Sequence, residues 1–217
     1  VYRSGRLADL SGADRRKLVD AGVTAIYDLR TTKVARRTPD PSIKGADYHL
    51  VNLFGVYSTP SRRFTTVAAA RADRERTNRE FVNDPEQRRR TAEVLTAIAR
   101  ADGPVIIHCT EGKDRTGWVS AVLQLTAGVS RPDVMAEYLL SNRYRETAID
   151  QRYAKVKRDR GVRAAEVERV ALVVDEDFLG AGLAELDDRY GSVDRYLAKG
   201  LKLTPETIEA LRDRLRA

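Results

Sequence analysis

The chain has 217 residues, 42% of them hydrophobic and 33% charged, and a formal net charge of +7. That length accommodates one domain with a sizeable core, and the charged fraction points to a well-solvated, helix-rich surface. A single cysteine and two histidines exclude a disulfide framework, a Cys-x-x-Cys redox pair and a four-thiolate metal site, and argue against a zinc or di-iron centre.

Taken in chain order, Ser11-Gly12-Ala13-Asp14 predicts a helix start with a capping serine and an early acid, and Gly22 predicts its end. Residues 23–29 read as a strand that delivers Asp28 and Arg30 to its exit. The C-terminal ends of parallel strands are where ligand crevices form. Asp28 is therefore either an acid facing such a crevice or the partner that positions a nearby arginine, Arg30 or Arg115. Residues 48–53 read as a second strand, and His49 within it reads as an ordinary strand histidine.

Residues 61–90 hold nine arginines and no lysine against five carboxylates, a net +4. Arg62, Arg63, Arg71, Arg74, Arg76 and Arg79 alternate with Phe64, Val67 and three alanines, which predicts an amphipathic basic helix. Such a helix suits gating of a site, or attraction of anionic substrates and anionic membrane surfaces. No recognition motif or aromatic interleaving accompanies the run, so nucleic acid is not the expected partner. Residues 89–100 predict a helix with Val94, Leu95 and Ile98 on one face, broken by Asp102-Gly103-Pro104.

Val105-Ile106-Ile107 then predicts a short buried strand, and the next residues read His-Cys-Thr-Glu-Gly-Lys-Asp-Arg-Thr-Gly, from His108 to Gly117. Residues 118–125 continue as a helix. The backbone N–H groups from Thr110 to Arg115 can curl around one tetrahedral oxyanion, with the helix dipole behind them. Gly112 gives the loop a position free of a Cβ. Arg115 closes the ring with a fork matched to two phosphate oxygens. The same donors favour the thiolate of Cys109, as thiols in such settings titrate at about 3.5–7.5. Thr116 offers a hydroxyl to the sulfur. Glu111, Lys113, Asp114 and Arg115 cannot all enter a core unpaired, so Cys109 is not a plain core residue.

The run His-Cys-x5-Arg-Thr-Gly resembles the active-site loop of the cysteine-dependent protein tyrosine phosphatases. Its Lys113-Asp114-Arg115 variant resembles the atypical bacterial branch and its lipid-phosphatase relatives. Tyr2-Arg3-Ser4-Gly5-Arg6-Leu7, Ile26-Tyr27-Asp28-Leu29-Arg30 and Glu137-Tyr138-Leu139-Leu140-Ser141-Asn142 fit the same branch. The resemblance implies Cys109 as nucleophile, Arg115 as phosphate clamp and Asp114 as the acid that protonates the leaving group, with Asp28 the second candidate acid. Acting near neutral pH, Asp114 would need its pKa raised by burial or by substrate charge. His108 is implied to orient the loop by hydrogen bonding. Lys113 either points into the mouth as a second cation, useful for substrates with several phosphates, or is solvated. Residues 55–95 are implied to contain a helical lid.

Beyond the loop, Gly128 predicts a helix stop, and Ser130-Arg131-Pro132-Asp133 a new start. Residues 143–170 read as one half-exposed helix carrying Ile149, Tyr153 and Val156. Residues 193–199 predict a helix ended by Gly200, and Thr204-Pro205 opens another over 206–215.

The alternation predicts one α/β domain over residues 1–217, with a central, mostly parallel sheet flanked by helices, to which the resemblance adds a lid-like helical insertion. The expected activity is hydrolysis of phosphotyrosine, and possible wider targets are phosphoserine and phosphothreonine, through a phosphocysteine intermediate without metal or cofactor. The alternative is phosphoinositide hydrolysis by the same loop. A sulfurtransferase is less well matched by Asp114-Arg115-Thr116-Gly117, and an arsenate reductase would need further cysteines. No stretch approaches the roughly 20 apolar residues of a membrane span. No signal peptide is visible, so the expected location is cytoplasmic, or secreted without a recognisable signal.

Overall fold

Four short strands form the sheet around which the chain is organised, and the central one is apolar on both faces. In β4, Val105–His108, every residue is buried, as expected of a parallel strand covered by helices on two sides. The computed structural model describes residues 1–55 and 63–216. The other strands are β1, Tyr2–Ser4, β2, Ala25–Asp28, and β3, Asp47–Leu50. Their order is β1-β4-β2-β3 and every pairing is parallel. The registers align Ser4, His108, Asp28 and Leu50 in one row at the C-terminal edge. Cys109 therefore leaves the middle of that edge.

The pleat divides the core. Val105 and Ile107 face the large cluster with Ala25 and Tyr27, while Ile106 and Ile26 face a smaller one with Leu7, Val23 and Ile43. Helix α1, Gly12–Asp20, covers the smaller side through Leu18 and begins in a complete Ser11–Asp14 capping box. Helix α2, Thr32–Arg37, follows β2. The large side receives α4, Pro85–Ala99, and α5, Asp114–Ala127. Helix α5 buries Trp118, Val119, Val122 and Leu123, and its apolar residues surround it because neighbours pack on several sides. Phe54 stacks on Phe81, Phe81 on Trp118, and Trp118 meets Tyr196 edge-on, so an aromatic column crosses this core.

Helix α3 spans Val67–Asn83, with the buried residues Ala70, Phe81 and Val82 on its inner face. Helix α6 is Arg131–Tyr144, and α7, Glu146–Arg160, packs on α8, Val162–Leu172. Helix α9, Glu176–Tyr190, lies along α3. Helix α10, Val193–Arg195, runs on as a π-helical turn over Tyr196–Gly200, and α11, Pro205–Arg216, ends the described chain.

Several expectations shift. Val23 and Leu29 are buried but lie just outside β2. The second predicted strand ends at Leu50, because Val51 and Leu53 turn down into the core. The single helix expected over 143–170 is two helices, split at Gly161, whose φ of +85° ends α7. Residues 85–95 of the expected lid segment belong to α4, which buries Val94, Leu95 and Ile98 in the main core. Residues 56–62, with Arg62, lie outside the described residues.

The contact between α3 and α9 depends on Gly182. A Cβ there would meet Trp118 Cζ3 at 2.9 Å and the Asn78 carbonyl oxygen at 3.0 Å, and the backbone atom cannot swing aside. Gly182→Val is expected to cost about 1–3 kcal/mol through overpacking. Thermal unfolding should show this as a lower Tm, by about 2–4 °C per kcal/mol at this chain length; an unchanged Tm would contradict the packing described.

Candidate active site

The loop from Cys109 to Lys113 joins the end of β4 to the start of α5. Lys113, the residue preceding that helix, makes no side-chain capping hydrogen bond. Apart from the Thr116 amide, which faces Cys109, the first-turn N–H groups thus have no capping side chain from Lys113, and an anion satisfies such groups while gaining from the helix dipole. Gly112 has φ +69°, and a Cβ on it would come within 2.6 Å of the carbonyl carbon and oxygen of Ser4. Glycine is required on both counts. The exit of β1 grips the outside of the loop: the Arg6 amide donates to the Thr110 carbonyl at 3.2 Å, and Arg3 Nη2 to the Gly112 carbonyl at 2.8 Å. Arg3 also holds Glu137 at 2.7 Å and Ser141 at 2.7 Å, tying loop and strand to α6.

Cys109 is 2% exposed. Burial pushes its thiol up, but the Arg115 guanidinium and the hydroxyl and amide of Thr116 outweigh burial and bring it below the ordinary thiol value. The Thr116 hydroxyl is itself buried and has no other hydrogen-bond partner among the described residues. Arg115 donates to the Leu29 carbonyl at 3.2 Å and to Thr110 Oγ1 at 3.3 Å, and its guanidinium carbon lies 4.9 Å from the centre of the Phe54 ring. The fork is held from two sides by long, weak bonds and an aromatic face, with donors still available to an oxyanion.

Asp114 departs from its expected state. Burial pushes its carboxyl up, but Lys113, Arg74 and Arg115 outweigh burial and hold it below the usual carboxylate range. Lys113 Nζ lies 3.0 Å from Asp114, and Arg74 Nη1 3.9 Å. Lys113 is neither solvated nor a free cation in the mouth. Its side chain is 1% exposed, and Nζ donates to both Asp114 oxygens and to the Val173 carbonyl at 3.2 Å. Glu111 faces outward to Arg145 at 3.0 Å.

Asp28 and Arg30 lie beneath the loop. Both are fully buried, and Arg30 donates to both Asp28 oxygens, at 2.6–2.9 Å, and to Asp40 at 2.6 Å. The Tyr48 hydroxyl completes Asp28 at 2.7 Å. Burial raises the Asp28 carboxyl, but Arg30, His108 and Tyr48 outweigh it and hold it low. Asp28 is therefore the partner of Arg30, turned away from the mouth. His108 is fully buried; its Nδ1 lies 3.2 Å from the Cys109 carbonyl oxygen and its Nε2 3.1 Å from Asp40. Asp28, Asp40 and His108 bring potential metal-ligand atoms within 4.8 Å of one another. The Arg30 guanidinium already bonds both carboxylates, so this cluster does not suit a metal ion. His49 stacks on Tyr27 at 5.2 Å on β3, the structural place expected for it.

The basic segment is mostly neutralised by the protein itself. Arg71 pairs with Asp175 at 2.9 Å and Asp177 at 2.8 Å, Arg76 with Asp73 and Glu80, and Arg79 with Glu75 at 3.3 Å. Asp40 and Phe54 carry no signal in local sequence, since each joins the site through a distant element, while in sequence Arg3 and Arg74 figure only within a family-like segment and a basic run, with no place in the site.

Two substitutions probe this construction. Gly112→Ala should displace the loop and weaken binding of vanadate, a tetrahedral oxyanion, by about a hundredfold, the scale of an ångström-sized misplacement. Wild-type vanadate affinity in the variant would contradict the close packing against Ser4. Asp28→Ala leaves Arg30 with one buried carboxylate in place of two and should cost about 3–5 kcal/mol in denaturant unfolding; a loss below 1 kcal/mol would show that the pair is not structural.

A family model described as the tyrosine phosphatase family matches residues 1–217. A protein of Cupriavidus necator named as a tyrosine-protein phosphatase is 30% identical over 210 residues, covering 94% of this chain and 74% of the relative. The triple specificity protein phosphatase PtpB of Mycobacterium tuberculosis is 30% identical over 233 residues, covering 91% of this chain and 84% of its own. A tyrosine-protein phosphatase of Nostoc commune is 28% identical over 221 residues, with 98% of this chain and 73% of the relative covered. The likeness extends through strands and helices far from the loop, and the chain belongs to the tyrosine phosphatase family.

Proposed function

We propose that the protein hydrolyses phosphotyrosine in protein substrates through a phosphocysteine intermediate, without a metal ion. The observation that carries this reading is the buried Cys109, placed between Arg115 and the uncapped start of α5. A phosphoryl dianion seated there receives hydrogen bonds from the loop amides and a bidentate contact from Arg115. The Cys109 thiolate attacks phosphorus, an S–P bond forms and the P–O bond to the phenol breaks. The departing oxygen takes a proton from Asp114. Water then attacks phosphorus and gives its proton to Asp114, the S–P bond breaks, and Thr116 hydrogen-bonds the returning thiolate.

The lowered Asp114 carboxyl sets a condition on this sequence. Asp114 must gain a proton before it acts as the acid, and the negative charge of a bound phosphoryl group pushes it in that direction. The mycobacterial relative is named as a triple specificity phosphatase, which supports a specificity wider than phosphotyrosine alone. The phosphoinositide alternative rests on a second cation in the mouth and on the basic segment of residues 61–90. Lys113, engaged by Asp114 and the Val173 carbonyl, does not favour it.

Cys109→Ser is expected to abolish hydrolysis of a phosphotyrosine peptide, and excess EDTA to leave the wild-type rate unchanged. Full activity in the serine variant, or loss of activity with EDTA, would overturn the mechanism. Asp114→Asn should slow phenyl phosphate, whose leaving group needs a proton, by about 10²–10⁴-fold. It should slow p-nitrophenyl phosphate much less. Equal losses on the two substrates would remove Asp114 from the acid role.

A further inference from the structure

Arg74 differs from its neighbours on α3. Arg71, Arg76 and Arg79 each lie within hydrogen-bond or close ion-pair distance of a carboxylate. The nearest carboxylate oxygens to the Arg74 guanidinium are those of Asp73 at 3.6 Å and Asp114 at 3.9 Å, both beyond hydrogen-bond reach. Its side chain is 26% exposed, and among the described residues no protein acceptor lies within hydrogen-bond distance of its guanidinium. It also lines a cavity of about 560 Å³ with Arg63, Phe64, Arg152, Arg160 and Glu168, so its side chain borders open space in which it can turn.

We propose that Arg74 is an active-site residue that exchanges its partner during turnover: it faces Asp114 in the free enzyme and turns to the incoming phosphomonoester dianion, freeing Asp114 to take up the proton it will donate. The inference rests on the reading of Asp114 as the general acid. A dianion is a stronger partner for the Arg74 fork than a carboxylate 3.9 Å away. The residues facing Asp114 are Lys113 and Arg115 from its own loop and helix, Arg74 from α3, Cys109 from below, and Tyr138 from α6. Of the three cations, Lys113 is pinned by the Val173 carbonyl and Arg115 belongs to the phosphate clamp. Arg74 alone of these has no hydrogen bond holding its side chain among the described residues.

The sign follows from the acid role. Activity that needs protonated Asp114 is present below its pKa and is lost as pH rises through it. The limb of kcat/KM reports the free enzyme and that of kcat the substrate complex. In the wild type, the alkaline limb of kcat should therefore lie at higher pH than that of kcat/KM. In Arg74→Gln the kcat/KM limb should move up by about one pH unit, closing that gap, with phenyl phosphate as substrate. The same variant should bind inorganic phosphate, tested as a competitive inhibitor, about tenfold more weakly, the loss of one charged hydrogen bond. Arg74→Lys should recover part of both effects. An unmoved limb or unchanged phosphate inhibition in Arg74→Gln would overturn the exchange. Asp114→Asn separates the two readings. If it keeps the alkaline limb, the acid assignment itself fails. If it removes the limb while Arg74→Gln leaves it in place, only the role of Arg74 falls.

Discussion

A thiol nearly out of contact with water, yet held below its ordinary pKa, is the feature around which the site is built. Burial alone would keep Cys109 as a thiol, and a thiol at the end of β4 would be an ordinary core residue. The balance shifts because the Arg115 guanidinium and the hydroxyl and amide of Thr116, both in the first turn of α5, bear on the sulfur. None of these groups is strong individually. Their convergence depends on a loop that leaves β4 and enters α5 without a capping side chain, and on neighbours that prevent it from relaxing.

Those neighbours act in layers. Below the loop, Asp28, Arg30, Asp40 and His108 form a fully buried charged cluster that links β2, the segment after α2 and β4. Breaking one member strands the charge of another, so the cluster enforces geometry even where its net contribution to stability is small. Beside the loop, β1 presses Ser4 against Gly112 and sends Arg3 across to α6. Above it, Phe54 supports the face of the Arg115 guanidinium and passes that support through Phe81 and Trp118 into the core. The loop at the sheet edge is thus tied to α3, α5 and α6.

The parts of this arrangement that were legible in sequence are those governed by local rules. The apolar run of β4, the capping box at Ser11, the stop at Gly128 and the spacing from Cys109 to Arg115 all depend on neighbours a few residues away. The same holds for Gly112, where loop chemistry predicted a position without a Cβ. Strand β1 gave no signal, because Tyr2-Arg3-Ser4 lacks apolar alternation and pairs only through its partner β4. Asp40 lies beside His108 through a tertiary route that no periodicity records. The lowered carboxyl of Asp114 in the free chain was not legible for a similar reason: burial was foreseeable, but the opposing cations come from a lysine folded inward and from Arg74 on α3. The basic character of residues 61–90 was read correctly as composition, yet α9 and the segment's own acids neutralise much of it.

The central claim is that Cys109 carries the phosphoryl group between the two displacement steps. The most direct test is rapid acid quenching of the enzyme during turnover of a phosphotyrosine peptide, followed by mass analysis of the peptide containing Cys109. The account predicts one phosphoryl group on that cysteine, removed by thiol-directed cleavage and missing in Cys109→Ser. A phosphoryl group on another side chain, or turnover with no covalent intermediate under conditions that trap one, would contradict it.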